Sequence, residues 1–155
     1  MRAWPRRVFV SPCSRRVLFT VGNIIALYCA APLYRPIDDL GRMRRMFEGS
    51  NVVLTAWDGD RLVGVLRGVT DGAYTTYVCD LAVHPDYQRS GIGHELLERV
   101  VSTFPESGVV LQAARIASDY YSHIGWQKVE NGWQHPRPRW TFPKEYSQRE
   151  QSVRH

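Results

Sequence analysis

Residues 80–93, DLAVHPDYQRSGIG, join two unlike elements through a loop that neither can absorb. Pro85 has no backbone N–H and disfavours helical geometry at His84, so a strand running up to Val83 must end there. Beyond the polar loop 86–89, Ile92, Leu96, Leu97, Val100 and Val101 recur at helical spacing, predicting a helix over 90–103 with one apolar face. Such a face has to be buried against a neighbouring layer.

The rest of the chain supplies that layer. Asn51–Trp57 and Arg61–Val69 are β-rich runs joined by Asp58-Gly59-Asp60, a strong hairpin turn, and Thr70-Asp71-Gly72 leads into a long strand over Ala73–Val83. Further strands are expected at Val109–Gln112, from Trp126, and in Trp133–Phe142, where His135-Pro136-Arg137-Pro138 fits poorly. Helices are expected at Ile24–Ala31, Leu40–Phe47 and Ala117–Ile124, with a strand at Val17–Val21 before the first. The order predicts a single α/β domain over 17–143: a mixed, mostly antiparallel sheet with helices on both faces. At 155 residues the chain has room for one ordinary domain and for a core that needs no disulfide or structural metal.

A formal charge of +5 invites a nucleic-acid reading, but the charge sits in the ends. Residues 1–16 carry five arginines and no acid, 17–133 carry ten basic and thirteen acidic groups, and 134–155 carry five basic and two acidic. The body therefore offers no net positive field to a phosphate backbone, and neither specific nucleic acid nor membrane is an expected partner. Residues 1–16 read as a basic N-terminal extension, open to being disordered, and 144–155 as a polar tail. The uncharged run behind Arg15-Arg16 has the outline of an export signal, but Gly22-Asn23 interrupts it and no clean cleavage site follows. Cys13, Cys29 and Cys79 have no metal-ligand or framework spacing and read as reduced thiols, which places the protein in the cytoplasm.

Residues 88–93 put several backbone N–H groups at a helix N-terminus, where they lack intrahelical partners and sit at the positive end of the helix dipole. Gly91 and Gly93 let a diphosphate approach that backbone, and Arg89 adds charge. A glycine pair alone is equally a turn and a packing site, and neither a Walker loop nor the Rossmann spacing is present. Gln88-Arg89-Ser90-Gly91-Ile92-Gly93, however, resembles the Q/R-x-x-G-x-G/A signature of the GNAT superfamily of acyl-CoA-dependent N-acyltransferases. Leu81-Ala82-Val83-His-Pro upstream and Tyr120-Tyr121-Ser-His-Ile-Gly125-Trp126 downstream resemble its flanking stretches, so the likeness runs from about Val17 to Val129.

The resemblance implies a sheet whose central strands splay apart to admit acetyl-CoA. It implies that Leu81, Ala82 and Val83 bond the pantetheine arm as a strand would, that Gln88, Arg89, Ser90, Gly91, Ile92 and Gly93 hold the diphosphate, and that Ser118 also contacts the cofactor. Tyr121 occupies the position of the general acid that protonates the leaving thiolate; the alternative is that Tyr120 and Tyr121 are both core aromatics. The reaction implied is direct attack of a primary amine on the thioester in a ternary complex, without a metal. For the base the sequence is less explicit: Asp80 is the carboxylate nearby, expected to act through water, yet strand alternation puts it opposite Tyr77 and Cys79 unless a bulge intervenes. The alternative is that Asp80 caps or pairs with an arginine. His84 reads as a surface turn residue. Tyr34, Arg35, Arg42, Met43, Trp57 and Tyr77 are candidate walls of the acceptor site, which takes a small-molecule or peptide amine in a monomer or homodimer. Two other readings stand beside the enzyme: an idle acyl-CoA-binding or regulatory module, and a binder of nucleic acid or membrane surface acting through the basic ends.

Overall fold

The computed structural model describes residues 7–12, as backbone, and 20–136. Five strands form one sheet in chain order: β1 (Arg7–Pro12), β2 (Val52–Asp58), β3 (Arg61–Thr70), β4 (Thr75–Val83) and β5 (Gly108–Leu111). The first four pair antiparallel and β5 joins β4 in parallel. Among the described residues four α-helices accompany the sheet: α1 (Val21–Ala30), α2 (Leu40–Glu48), α3 (Ile92–Thr103) and α4 (Ser118–His123).

The helices cover both faces, as expected for this α/β class. Ile24, Leu27 and Tyr28 of α1 and Met43 and Phe47 of α2 pack with Leu62, Val65 and Ala82 on one side of the sheet. On the other, Ile92, Leu96, Leu97 and Val100 of α3 pack with Leu54, Val63, Leu66 and Val78. Four of the five apolar positions of the 90–103 pattern are thus buried, while Val101 is exposed; burying each large aliphatic side chain contributes roughly 1.5–3 kcal/mol.

Turn chemistry sets the hairpins. Gly59 takes a φ of 57° between β2 and β3. Between β3 and β4, Asp71 Oδ1 accepts from the amides of Ala73, Tyr74 and Thr75 at 2.8–3.0 Å. Those bonds hold the Asp71 carboxyl down at about 2.

The structure departs from the sequence expectations at both ends. The first strand lies at Arg7–Pro12, inside the basic stretch assigned to an extension; RVFVSP is β-rich between its charges and pairs with β2 from Arg7↔Trp57 to Pro12↔Val52. The strand expected at Val17–Val21 falls partly outside the described residues, and its last two positions begin α1 instead. Thr20 is the N-cap, its hydroxyl accepting from Asn23 N–H at 3.2 Å while Asn23 Oδ1 accepts from the Thr20 amide at 2.9 Å. No strand forms over 126–136, and the remainder of the last expected strand lies outside the described residues.

Candidate active site

The site begins where β4 and β5 part. Their parallel pairing runs from Thr75↔Gly108 to Val78↔Leu111, and β4 then continues to Val83 paired with β3 but, among the described residues, with no strand on its other side. His84 N–H still bonds Val63 O on the β3 side at 2.8 Å. Alternation therefore turns the backbone groups of Cys79, Leu81 and Val83 toward the gap. Two of the carbonyls on that side already have side-chain donors: Arg35 Nη2 bonds Cys79 O at 2.8 Å and Gln88 Nε2 bonds Val83 O at 3.0 Å. Between them lies Leu81, whose backbone has no strand partner on that side among the described residues.

A bulge shapes the same stretch. Arg67 pairs with Asp80 but Gly68 pairs with Val78, leaving Cys79 as the extra residue. Val78 accordingly packs on the α3 side while Ala82 packs on the α1 side. The bulge reverses the facing expected from simple alternation and carries Asp80 to the α1 face. Gly68 is required beside it, since a Cβ there would lie 2.8 Å from Tyr77 O.

Asp80 is 2% exposed and both carboxylate oxygens are committed. Oδ2 accepts from Tyr28 Oη at 2.8 Å and Arg67 Nε at 2.6 Å; Oδ1 accepts from Arg35 Nε at 2.6 Å. Burial alone would raise its pKa, but the Arg67 hydrogen bond and the charges of Arg35 and Arg67 outweigh it and hold the group below the usual carboxylate range. The same surroundings push the Tyr28 phenol well up, burial first and the Asp80 charge second. Of the two roles open in the sequence, the geometry carries the arginine pairing, because a carboxylate with three donors and a lowered pKa is a weak proton acceptor. Arg35 also donates to Tyr34 O at 2.6 Å, so it ties the α1–α2 loop to the bulge instead of facing an open acceptor site. Arg67 Nη1 reaches Ser50 Oγ at 3.1 Å, bringing in the end of α2. Met43 is fully buried in the core and is no wall.

Beyond Val83 the loop enters α3 by a left-handed turn. Arg89 has a φ of 60° and Gly91, the N-cap, a φ of 92°. Ser90 Oγ donates back to Tyr87 O. Gly91 offers no side-chain cap, and the first bond within the helix is Glu95 N–H to Gly91 O at 3.0 Å. The amides of Ile92, Gly93 and His94 therefore have no partner within the helix. Arg89 is exposed on the same loop. His84 lies outside the gap, with Nε2 2.8 Å from Arg61 Nη2.

The short helix α4 brings two tyrosines to this region. Tyr121, half-buried, stacks edge-on against Tyr120 with ring centroids 5.2 Å apart and leans on Trp126 at 6.0 Å. Burial, and then the neighbouring Tyr120, push its phenol above the ordinary 10.0. Ser118 and Tyr121 line a cavity of about 340 Å³ with Leu111 and Gln112 of the β5 end. Tyr120 points elsewhere. A Cβ placed on Gly93 would lie 3.4 Å from Tyr120 Oη and 3.7 Å from Val83 Cγ2. That hydroxyl oxygen is buried and accepts or donates no hydrogen bond among the described residues. Leaving it so costs about 1–3 kcal/mol.

Of the candidate walls, Trp57 and Tyr34 pack at the edge of the α1-side core, and Tyr77 is half-buried on β4 before the bulge. Sequence reasoning missed Tyr28 and Arg67 as Asp80 partners. The available signal was an arginine inside the apolar strand RLVGVLRGV, which a buried position tolerates only when paired.

Among the described residues no group of three or more histidine, cysteine or acidic side chains is placed to hold a metal. None of their helices is long and apolar enough to cross a membrane.

Residues 31–135 match the family model described as an acetyltransferase (GNAT) domain. An uncharacterized N-acetyltransferase ycf52-like protein of Prochlorococcus marinus is 30% identical over 98 residues, covering 59% of this chain and 54% of that protein. The histone acetyltransferase TAP1 of Glycine max is 28% identical over 75 residues, 46% of this chain and 32% of its own length. The match thus spans about half or less of these relatives. Among solved structures, a GNAT-family acetyltransferase from Streptococcus pneumoniae superimposes with a TM-score of 0.62 at 24% identity, over 84% of this chain and 98% of the other. An aminoglycoside acetyltransferase from an uncultured soil sample, complexed with trehalose, gives 0.62 at 22% identity, over 84% and 97%.

Proposed function

Because the chain belongs to the GNAT acetyltransferase family, we propose that it transfers an acetyl group from acetyl-CoA to a primary amine by direct attack in a ternary complex. The observation that carries this reading is the unpaired edge of β4 lying end to end with the uncapped amides of α3. An extended amide-bearing arm fits the first, and a diphosphate fits the second. Acetyl-CoA supplies the activated thioester.

In this reading Leu81, Ala82 and Val83 hold the arm through backbone hydrogen bonds and by walling the gap. An amide of this stretch polarises the thioester carbonyl as an oxyanion donor does. Gln88, Arg89, Ser90, Gly91, Ile92 and Gly93 receive the diphosphate, and Ser118 borders the cofactor from α4. Tyr121 donates its proton to the departing thiolate; its raised pKa keeps the phenol protonated at neutral pH. Asp80 acts by position: it holds Arg35, Tyr28 and Arg67 so that the bulge and the acceptor loop keep one geometry. The amine gives its proton to water. Tyr34, Trp57 and Tyr77 border the acceptor, a small-molecule or peptide amine, and the cytoplasm, with its acetyl-CoA, is the compartment in which the enzyme acts.

Thermal shift with acetyl-CoA, combined with thiol release over a panel of amines, tests this. The expected result is stabilisation together with amine-dependent thiol release. Stabilisation without turnover on any amine would assign the idle acyl-CoA-binding module.

A further inference from the structure

The ring of Tyr120 packs beside Tyr121 against the α3-side core, as an ordinary core aromatic would. Its hydroxyl does not behave as a core group. The oxygen is buried without a partner among the described residues, although a phenol is both donor and acceptor and native structures pair nearly all such atoms. It faces Gly93 in the first turn of α3, close to Val83 at the end of β4. The space between these three residues would take a methyl group at ordinary contact distances. Gly93 is itself one of the three first-turn residues, Ile92, Gly93 and His94, whose amides have no partner within the helix.

The Tyr120 phenol, unpaired among the described residues, thus lies against Val83 at the end of β4 and Gly93 in the first turn of α3, where the helix amides have no partner within the helix. We infer that the Tyr120 hydroxyl is a positioning group for acyl-CoA, donating a hydrogen bond to a ligand oxygen at the diphosphate end of the bound arm. The inference rests on the acyl-CoA reading of the site. It gives the two adjacent tyrosines different roles, with Tyr120 fixing where the arm lies and Tyr121 serving the leaving sulfur. Burial keeps the Tyr120 phenol protonated, as a donor must be.

The test compares the full chain with Tyr120→Phe. Dissociation of acetyl-CoA is measured by calorimetry, turnover by thiol release, and unliganded stability by urea denaturation. Acetyl-pantetheine, which lacks the diphosphate, serves as a truncated donor. The expected result is acetyl-CoA binding about five- to tenfold weaker, with kcat at saturation within about twofold, unchanged use of acetyl-pantetheine, and an unliganded urea midpoint no lower than that of the wild type. Gly93→Ala fills the space before the hydroxyl and is expected to weaken acetyl-CoA in the same way without loss of unliganded stability. Equal acetyl-CoA affinity in Tyr120→Phe overturns the inference, as does a drop in the unliganded midpoint that accounts for the whole effect. A fall in kcat with unchanged affinity overturns it in favour of a role in the chemical step. If the wild type itself binds no acetyl-CoA, the reading of the site fails and takes this inference with it, a result told apart by the wild-type titration alone.

Discussion

Arg35 Nε lies 2.6 Å from Asp80 Oδ1, and the same guanidinium reaches the carbonyl of Cys79 at 2.8 Å. One side chain from the α1–α2 loop therefore binds both the buried carboxylate and the bulge that precedes it. With Arg67 on the other oxygen, two cations share one anion in a site where Asp80 is 2% exposed. Asp80→Asn keeps the shape but leaves two guanidinium groups without a charge partner. The expected loss is about 3–5 kcal/mol in urea denaturation, the range for removing one member of a buried pair. A loss below about 1 kcal/mol, as for a surface pair, would show that the triad is not what holds the bulge.

The same carboxylate sets an acid limit on stability. A group whose pKa is lower folded than unfolded contributes stability that is complete above the unfolded value and disappears as pH falls through the folded one. Asp80 is shifted down from 3.8, and Asp71 down to about 2. Stability should therefore be complete with respect to both groups well above their unfolded values near 4 and fall as pH drops below about 4, the Asp71 share being lost by about 2. Urea midpoints measured across that interval check the point. In Asp80→Asn the slope of that fall should be shallower, because one of the two linked protons is gone.

Local chemistry made most of the framework legible. The Asp58-Gly59-Asp60 hairpin, the stop at His84-Pro85 and the apolar stripe from Ile92 to Val100 depend on neighbours a few residues apart, and each stands where the sequence puts it, with Val101 alone of the predicted stripe exposed. What stayed hidden depends on distant partners. β1 is a strand because Arg7–Pro12 finds β2, whereas its arginines made the stretch read as a tail. The facing of Asp80 is fixed by one extra residue at Cys79, which no composition rule marks. Its partners Tyr28 and Arg35 stand 52 and 45 residues away in sequence. The turn into α3 was legible in Gly91, but the orphan hydroxyl of Tyr120 is a property of packing.

Gly68 is the steric counterpart of the bulge. A Cβ there would meet Tyr77 O at 2.8 Å, a backbone atom that has no rotamer to escape into. Gly68→Ala is expected to cost about 1–3 kcal/mol, the usual range for overpacking a tight interior. Because the strain falls on Tyr77, immediately before the splayed edge, the variant should also raise KM for acetyl-CoA. A fully stable variant with unchanged KM would mean that the bulge relaxes freely.

Tyr121→Phe removes a proton donor and little else, since the ring contacts to Tyr120 and Trp126 survive. Acetyl-CoA affinity should stay within about twofold while thiol release slows by roughly 10²-fold or more, the scale of general acid catalysis. The pH profile gives a second readout. With the phenol shifted above 10.0, any alkaline fall in wild-type kcat that belongs to Tyr121 must lie above that value and vanish in the variant. Unchanged turnover in Tyr121→Phe would remove the residue from the acid role.

Gly91→Glu tests the other end of the site by two independent effects. The position has a φ of 92°, so any side chain is strained there. The new carboxylate also sits beside the amides of Ile92, Gly93 and His94, where it can cap the helix and repel a diphosphate. Gly91→Ala carries the strain without the charge and serves as the control. Acetyl-CoA should give no thermal shift with Gly91→Glu and a reduced one with Gly91→Ala, while both unliganded proteins remain folded by circular dichroism. If Gly91→Glu bound acetyl-CoA as tightly as Gly91→Ala, the diphosphate would not lie on the α3 terminus, and the order of groups along the β4–α3 junction would have to be redrawn.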